Sequence, residues 1–519
     1  MLAIASKRPS SSAHEPAPAP DPTGDPAANP TASRAPVAWA GLALVVAGKS
    51  LLNLLAAGRY GWHRDELYYL AAGRHLDLGF VDFPPVTAVL ARLSEALWGT
   101  SLIGLRSFAI AAGAAVVVLT ALIARELGGG RWAQLVAALS VCGLTLGSNA
   151  MFQTVSFDQL AWAATFWAAL RVLRSGGRRR WLMLGAIVGL GVETKYTVIV
   201  LVAMLGIGFI ATPIGRARLR EPGARLGAGL ALALALPNLW WQVRHGWPSV
   251  DFFSGRNGEV RADYPPLLYV AELLLVTGPP ALVVWWTGAR SLLRDARLRA
   301  IGIAVVSVPV AFLVLGGKGY YAAPAAIAAF AAGSVAMERT QSPRRRRVLP
   351  AVLAAGPLVF SPVILPVLPE STMVAAGLAE AREDYAEELG WIELVDAVAA
   401  AHRALPADER ERTAVLSGNY GEAGAIDLYG PGRGLPDAVS GHLTYRYWTP
   451  SDETLAAKTL LVVGYDRSWL ESRCATLDQV GTVENRAGVD NEEAGGAVLL
   501  CRLPGSLAEL WPSIAAGAD

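Results

Sequence analysis

The segment Tyr60-Gly-Trp-His-Arg-Asp-Glu-Leu-Tyr-Tyr69 sets two adjacent carboxylates, Asp65 and Glu66, among aromatic residues. A carboxylate at the edge of an apolar medium is desolvated, which raises its pKa and suits it to work as a general base. The same residues also fit a solvated loop anchored by interfacial Trp62, Tyr68 and Tyr69. Asp82 lies in Gly79-Phe-Val-Asp-Phe-Pro-Pro85, where the proline pair stiffens the chain and ends the loop ahead of a helix over 86–97. It reads equally as a functional group or a cap. Asp158 closes Gln153-Thr-Val-Ser-Phe-Asp158, as a candidate or as a helix-start carboxylate favoured by the dipole. Lys195 and Lys318 are isolated cations, Lys318 in Gly316-Gly-Lys-Gly-Tyr-Tyr321 beside Tyr320 and Tyr321. They either bind an anion or snorkel to an interface. Arg244, His245, Arg256 and Arg261 fall between Asn238 and Tyr264. Acids that take a proton and cations that hold an anion are what a site for a phosphate-bearing lipid would need.

The elements that must position these groups are written in a lipid-soluble chain. Of 519 residues, 53% are hydrophobic and 17% charged, where a soluble chain carries about a quarter charged. Mean hydropathy is +0.38. This excludes a disordered protein, a nucleic-acid binder and a soluble enzyme as the main body. The net charge of +2 is too small to draw an acidic partner by bulk field. Residues 1–36, rich in Pro, Ala, Ser and Thr, read as a disordered cytoplasmic tail and not a signal peptide.

A spanning helix needs about 20 apolar residues. Such runs lie near 37–57, 101–123, 132–150, 156–173, 226–243, 266–288, 300–316, 320–337 and 348–368. The run 181–213 would be about 50 Å long as one helix, too long for a bilayer. Broken at Glu193-Thr-Lys195 it gives two spans and eleven in total, a polytopic α-helical transmembrane domain over 37–368. With the N-terminus inside, the arginine-rich loops at 174–180, 214–225, 289–299 and 338–347 face the cytoplasm, in accord with the positive-inside rule. The first outer loop, 58–100, then lies outside with Lys195, Arg244 and Lys318. Residues 369–519 follow as an extracytoplasmic α/β domain. It has a helix over 376–404 and strands at Ala414–Leu416, Thr459–Val463 and Ala497–Cys501. Cys474 and Cys501 are either a disulfide on the oxidising side or two buried thiols, and Cys142 is a small core residue in a span.

Taken in order, His63-Arg-Asp-Glu-Leu-Tyr-Tyr69, Asp82-Phe-Pro-Pro85, Ser156-Phe-Asp158, Gly189-Leu-Gly-Val-Glu-Thr-Lys-Tyr196, Pro237-Asn-Leu-Trp-Trp241 with Gly246-Trp-Pro248, and Lys318-Gly-Tyr-Tyr321 resemble a known pattern. It is that of the GT-C fold membrane glycosyltransferases, in particular glycosyltransferase family 39 with its protein mannosyltransferase, aminoarabinose transferase and RgtA/B/C/D-like members. The resemblance covers roughly 37–370. It implies a polyprenyl-phosphate sugar donor and an extracytoplasmic acceptor hydroxyl on a protein, lipid or cell-envelope glycan. It implies an inverting displacement with Asp65 as base and Glu66 beside it. Lys195 and Lys318 match positions where a basic residue reaches the phosphate, with Tyr320 and Tyr321 nearby. Asp82, Asp158 and Arg244 complete the candidate substrate-binding set. Some relatives bind a divalent metal ion and others do not. No spacing here forces a metal site, since His63 and His245 are isolated. Ser417-Gly-Asn-Tyr-Gly-Glu-Ala-Gly-Ala-Ile426, Gly434-Leu-Pro436 and Tyr445-Arg-Tyr-Trp448 resemble the outer domain of an actinobacterial-type branch. Gly421 and Gly424 make no phosphate loop, because no strand–glycine–helix–Lys signature follows.

Two other classes compete. A transporter or flippase of a lipid-linked or anionic substrate fits eleven spans and a broken hairpin, but its charges belong at the midplane rather than on one face. A scaffold whose outer domain binds a cell-wall partner leaves the Asp65–Glu66 pair without a task.

Overall fold

The apolar runs of the sequence fold into helices whose lipid-soluble faces point outward. The computed structural model describes residues 35–340 and 342–516; the tail expected over 1–36 lies outside them but for its last two residues. The chain opens with α1 (Trp39–Ala56), α2 (Arg64–Arg74), α3 (Val86–Trp98), α4 (Leu102–Glu126), α5 (Arg131–Ser148) and α6 (Thr154–Ser175). It continues through α7 (Arg178–Val192), α8 (Thr197–Ala211), α9 (Pro213–Leu219), α10 (Pro222–Arg244) and α11 (Pro248–Asp263). It ends its helical part with α12 (Pro266–Thr277), α13 (Leu282–Arg294), α14 (Arg299–Leu315), α15 (Gly319–Ala322), α16 (Ala326–Thr340) and α17 (Pro343–Val359). Large apolar side chains stay exposed along these helices, among them Leu44, Leu51, Ile210, Leu232, Val310 and Phe360. Such a surface is stable only against lipid.

Every run expected to span is found as a helix, with local differences. The break expected in 181–213 is present between α7 and α8. The run 266–288 is bent by 83° between α12 and the helical segment Pro279–Arg294, where Gly278 takes φ 88 and Pro279 cannot continue the ladder. The run 348–368 yields α17 and a single turn, Ser361–Ile364, since Pro362 cannot continue the ladder of α17. Among the described residues four helices are long and apolar enough to cross a membrane alone, and six if each bent pair is one span.

Close helix contact rests on small residues, as is usual where lipid offers no hydrophobic drive between helices. A Cβ on Gly185 of α7 would collide with the Gly227 carbonyl of α10, and one on Gly288 of α13 with the Ala329 carbonyl of α16. The intramembrane Lys49 is buried but satisfied, donating to Asn53 Oδ1 at 3.0 Å and Asn149 Oδ1 at 2.9 Å.

The C-terminal α/β unit is a five-stranded sheet in the order β2-β1-β3-β5-β4. Its strands are β1 (Thr413–Ser417), β2 (Ala438–Val439), β3 (Thr459–Val463), β4 (Thr476–Thr482) and β5 (Ala497–Arg502). β1 runs parallel to β2 and β3, and β5 is antiparallel to β3 and β4. The sequence shows β1, β3 and β5 because they are buried apolar runs, and hides β4, whose residues are mostly exposed. The helix expected over 376–404 is regular only from Trp391 to Ala404. Gly377 and Gly390 take left-handed φ of 65 and 94 and divide what precedes it. Cys474 and Cys501 form a disulfide.

Candidate active site

The site is built around the first turn of α2. His63 caps this helix: its Nδ1 accepts from the Asp65 N–H at 3.1 Å, and its own N–H donates to Glu66 Oε2 at 2.9 Å. The cap fixes Asp65 and Glu66 in adjacent helical positions about 100° apart, so their side chains meet different surroundings. The other ring nitrogen, Nε2, faces Glu387 at 2.8 Å, so the ring proton sits toward that carboxylate and leaves Nδ1 free to accept.

Glu66 is fully buried. Arg106 of α4, equally buried, donates Nε to Glu66 Oε1 and a terminal nitrogen to Oε2, both at 2.8 Å. The Phe152 N–H adds a bond to Oε1 at 2.8 Å. Arg106 also reaches the Ala57 and Gly61 carbonyls and lies 3.3 Å from Glu388. With four donors on its two oxygens, Glu66 has a holding geometry that its neighbour Asp65 does not share. Arg106 was not singled out by the sequence reading. The available signal was its place as the one charge in the run 101–123, costly unless paired.

Asp65 is half-buried and open by comparison. The Tyr420 hydroxyl, 355 residues further along the chain, donates to its Oδ1 at 2.8 Å. Asp82 stands close enough for the two carboxylates to repel. Tyr68 Oη is 3.0 Å from Asp82 Oδ1 and 2.6 Å from Thr444 Oγ1. Burial raises the Asp82 carboxyl to about 7, with the Asp65 charge adding to the shift and Tyr68 and Arg256 opposing it.

The cations converge on the same place. The Val86 N–H donates to the Glu193 carbonyl at 3.1 Å, which ties the start of α3 to the break that carries Lys195. Lys195 Nζ lies 5.6 Å from the Tyr320 ring and 5.1 Å from the Tyr321 ring. Arg256 of α11 is in electrostatic range of Tyr321 and of Asp82. Lys318 acts on Tyr321 as well. The Lys318–Tyr321 turn is fixed by Glu272, which accepts from the Tyr320 N–H at 3.3 Å and from the Tyr264 hydroxyl. A side chain at Gly319 could not fit, since its Cβ would lie 2.5 Å from the Tyr269 carbonyl. Asp158 is buried behind Lys195, with Oδ1 accepting from Thr197 at 2.6 Å and Trp162 at 2.9 Å.

The structure thus gathers Asp65, Asp82, Asp158, Lys195, Lys318, Tyr320 and Tyr321. It does not gather Arg244, which is exposed and stacked on Trp240 at 5.8 Å at the end of α10. Arg256, in the same stretch of sequence, takes the place expected of it. Tyr420 and Thr444 have roles that exist only through partners distant in the chain, whereas Glu272 had the same signal as Arg106, being the one charge in the run 266–288. Among the described residues no group of three His, Cys, Asp or Glu side chains is arranged to hold a metal ion.

Comparison with known proteins adds to this geometry. Residues 82–241 match the family described as dolichyl-phosphate-mannose-protein mannosyltransferase. The lipid A galacturonosyltransferase RgtD of Rhizobium johnstonii is 31% identical over 191 residues, 35% of this chain. The match spans 38% of that protein's own length. Two crystal structures of ArnT from Cupriavidus metallidurans superpose over nearly the whole chain. The apo form gives a TM-score of 0.58 at 13% identity, covering 89% of this chain and 98% of ArnT. The form bound to undecaprenyl phosphate gives 0.56 at 14% identity, covering 88% and 97%. The chain is a multi-pass membrane protein with the GT-C fold that its sequence motifs resemble.

Proposed function

We propose that this protein is an inverting membrane glycosyltransferase that moves a sugar from a polyprenyl-phosphate donor to an acceptor hydroxyl on a protein, lipid or cell-envelope glycan. The observation that carries the reading is one site holding an accessible carboxylate, Asp65, together with the cations Lys195, Lys318 and Arg256 around Tyr320 and Tyr321. The undecaprenyl phosphate bound by ArnT, whose fold this chain shares, supports the choice of donor.

In the proposed reaction Asp65 takes the proton of the acceptor hydroxyl. The acceptor oxygen attacks the anomeric carbon from the face opposite the phosphate, and the carbon–oxygen bond to the phosphate breaks. Lys195, Lys318 and Arg256 receive the charge that develops on the leaving polyprenyl phosphate. The arginine-rich loops support an N-terminus in the cytoplasm, which sets the site and the C-terminal domain, 369–519, on the extracytoplasmic side of a plasma or inner membrane.

The test uses the full chain in nanodiscs with undecaprenyl-phosphate-linked hexoses and pentoses and a membrane extract as acceptor. Release of free undecaprenyl phosphate by the wild type, reduced about 100-fold or more in Asp65→Asn, is the expected result. Full activity in Asp65→Asn would remove the base. No release from any donor by folded protein, with a lipid-linked sugar instead moved across vesicles, would make the protein a flippase.

A further inference from the structure

We infer that the C-terminal domain completes the active site, with Tyr420 and Thr444 as positioning residues for the two carboxylates of the first loop. Tyr420 acts on Asp65 directly, and Thr444 acts on Asp82 through Tyr68. This rests on the reading of Asp65 as the base.

The domain is shaped for this reach. In α/β units the crevice at the carboxyl ends of parallel strands, where strand order reverses, is the usual ligand site. Here β1 has β2 on one side and β3 on the other, and the helix that follows β1 packs against α2. The helix Tyr420–Tyr429 follows β1 with a tight cap. Asn419 Oδ1 accepts from the Gly421 and Glu422 N–H groups at 2.8 and 2.9 Å, and Glu422 Oε2 accepts from the Gly418 N–H at 2.9 Å. Tyr420, its first residue, is therefore rigidly aimed. Gly421 and Gly424 form the face that admits α2: Cβ atoms there would lie 3.1 Å from Arg64 Cβ and 2.8 Å from Leu67 Cβ.

Two separate contacts then leave this domain for the carboxylates. The Tyr420 hydroxyl donates to Asp65 while its ring stacks on Tyr68 at 4.8 Å and lies under the Arg64 guanidinium at 5.1 Å. Thr444 Oγ1 accepts from the Val81 N–H at 3.0 Å, and the Thr444 N–H donates to Tyr68 Oη at 3.2 Å. Tyr68 Oη in turn meets Asp82. Leu443, next to Thr444, is held at φ 47, a conformation that non-glycine residues adopt only when their surroundings enforce it.

The experiment compares wild type, Asp65→Asn, Tyr420→Phe, Thr444→Val and Thr444→Ser in nanodiscs, with the undecaprenyl-phosphate sugar that the wild type turns over. The groups facing Asp65 are His63 and Tyr69 on α2, Asp82 from the loop before α3, and Tyr420; Tyr420→Phe changes only the last and keeps its ring. We expect kcat of Tyr420→Phe to fall about tenfold, with KM for the donor within about twofold of wild type. Thr444→Val should lower kcat and Thr444→Ser restore it, which also serves as the test should Tyr420→Phe unfold. Wild-type kcat in both Tyr420→Phe and Thr444→Val, with Asp65→Asn inactive, would overturn the inference and leave the base in place. Activity in Asp65→Asn would instead overturn the base.

Discussion

Asp65 and Glu66 are the same chemistry one residue apart, and the molecule treats them in opposite ways. Glu66 faces inward to a buried arginine and spends both oxygens on four donors. Asp65 is half-buried where α2 meets the C-terminal domain, and among the hydrogen bonds described its carboxylate accepts from a tyrosine hydroxyl alone. The Glu66–Arg106–Glu388 cluster joins α2, α4 and the segment before the C-terminal sheet. The Asp65–Asp82 pair presents unspent lone pairs beside cations. Charge buried with partners fixes structure, whereas charge left partly unpaired is available for chemistry.

The comparison breaks most sharply at Arg106. Arg106→Met leaves Glu66 and Glu388 facing each other without a counterion in a fully buried place. Removing one partner of such a cluster costs about 3–5 kcal/mol. The expected outcome is loss of a monodisperse, cooperatively melting species in detergent. Asp65→Asn should melt as the wild type does. Equal melting of the two variants would show that the two carboxylates are not divided as described.

Gly424 tests how the C-terminal domain meets α2. Gly424→Val adds side-chain volume where even a Cβ lies 2.8 Å from Leu67. Overpacking of this kind costs about 1–3 kcal/mol. Limited proteolysis should then cut the link before Trp391 faster, and turnover should fall with it because Tyr420 is displaced.

Asp82 sharpens the comparison through pH. Its carboxyl is raised from an ordinary value near 3.8 to about 7. A group raised on folding lends stability below its unfolded pKa, and that stability is lost as pH rises through the folded value. Stability tied to Asp82 therefore drains between about pH 4 and 7. Asp82→Asn, which stays neutral, should melt roughly 2–4 °C above wild type at pH 7.5 and level with it near pH 4. A melting difference that does not change with pH would place Asp82 in ordinary solvent.

Much of this was legible before any coordinates, and the division has a physical basis. Apolar runs are long and redundant, so the helices and the break at Glu193–Lys195 follow from them. Asp65, Asp82, Lys195 and Lys318 stood out because charge is scarce in such a chain. Glu66 could not be told from Asp65, since a helix separates neighbours by an angle that only partners reveal. The contacts of Tyr420 and Thr444 could not be read for the same reason, being closed by tertiary packing across hundreds of residues. β4 was missed because its exposed, mixed side chains carry no alternation.

Arg244 gives the smallest expected effect and the cleanest control. From sequence it belongs with the phosphate-binding cations, as one of several basic residues between Asn238 and Tyr264. In the fold its guanidinium stacks on the exposed Trp240, at the end of α10, a pairing suited to a membrane interface. Arg256 instead lies in electrostatic range of Tyr321. Exposed substitutions away from caps, cores and sites change little. Arg244→Ala should leave turnover and donor KM within about twofold of wild type. Arg256→Ala should raise donor KM by about tenfold or more, because a charge-assisted contact to phosphate is lost. Were the two to exchange effects, the cation facing the phosphate would be the one at the end of α10, and the donor would not sit beside Arg256 and the Lys318–Tyr321 turn.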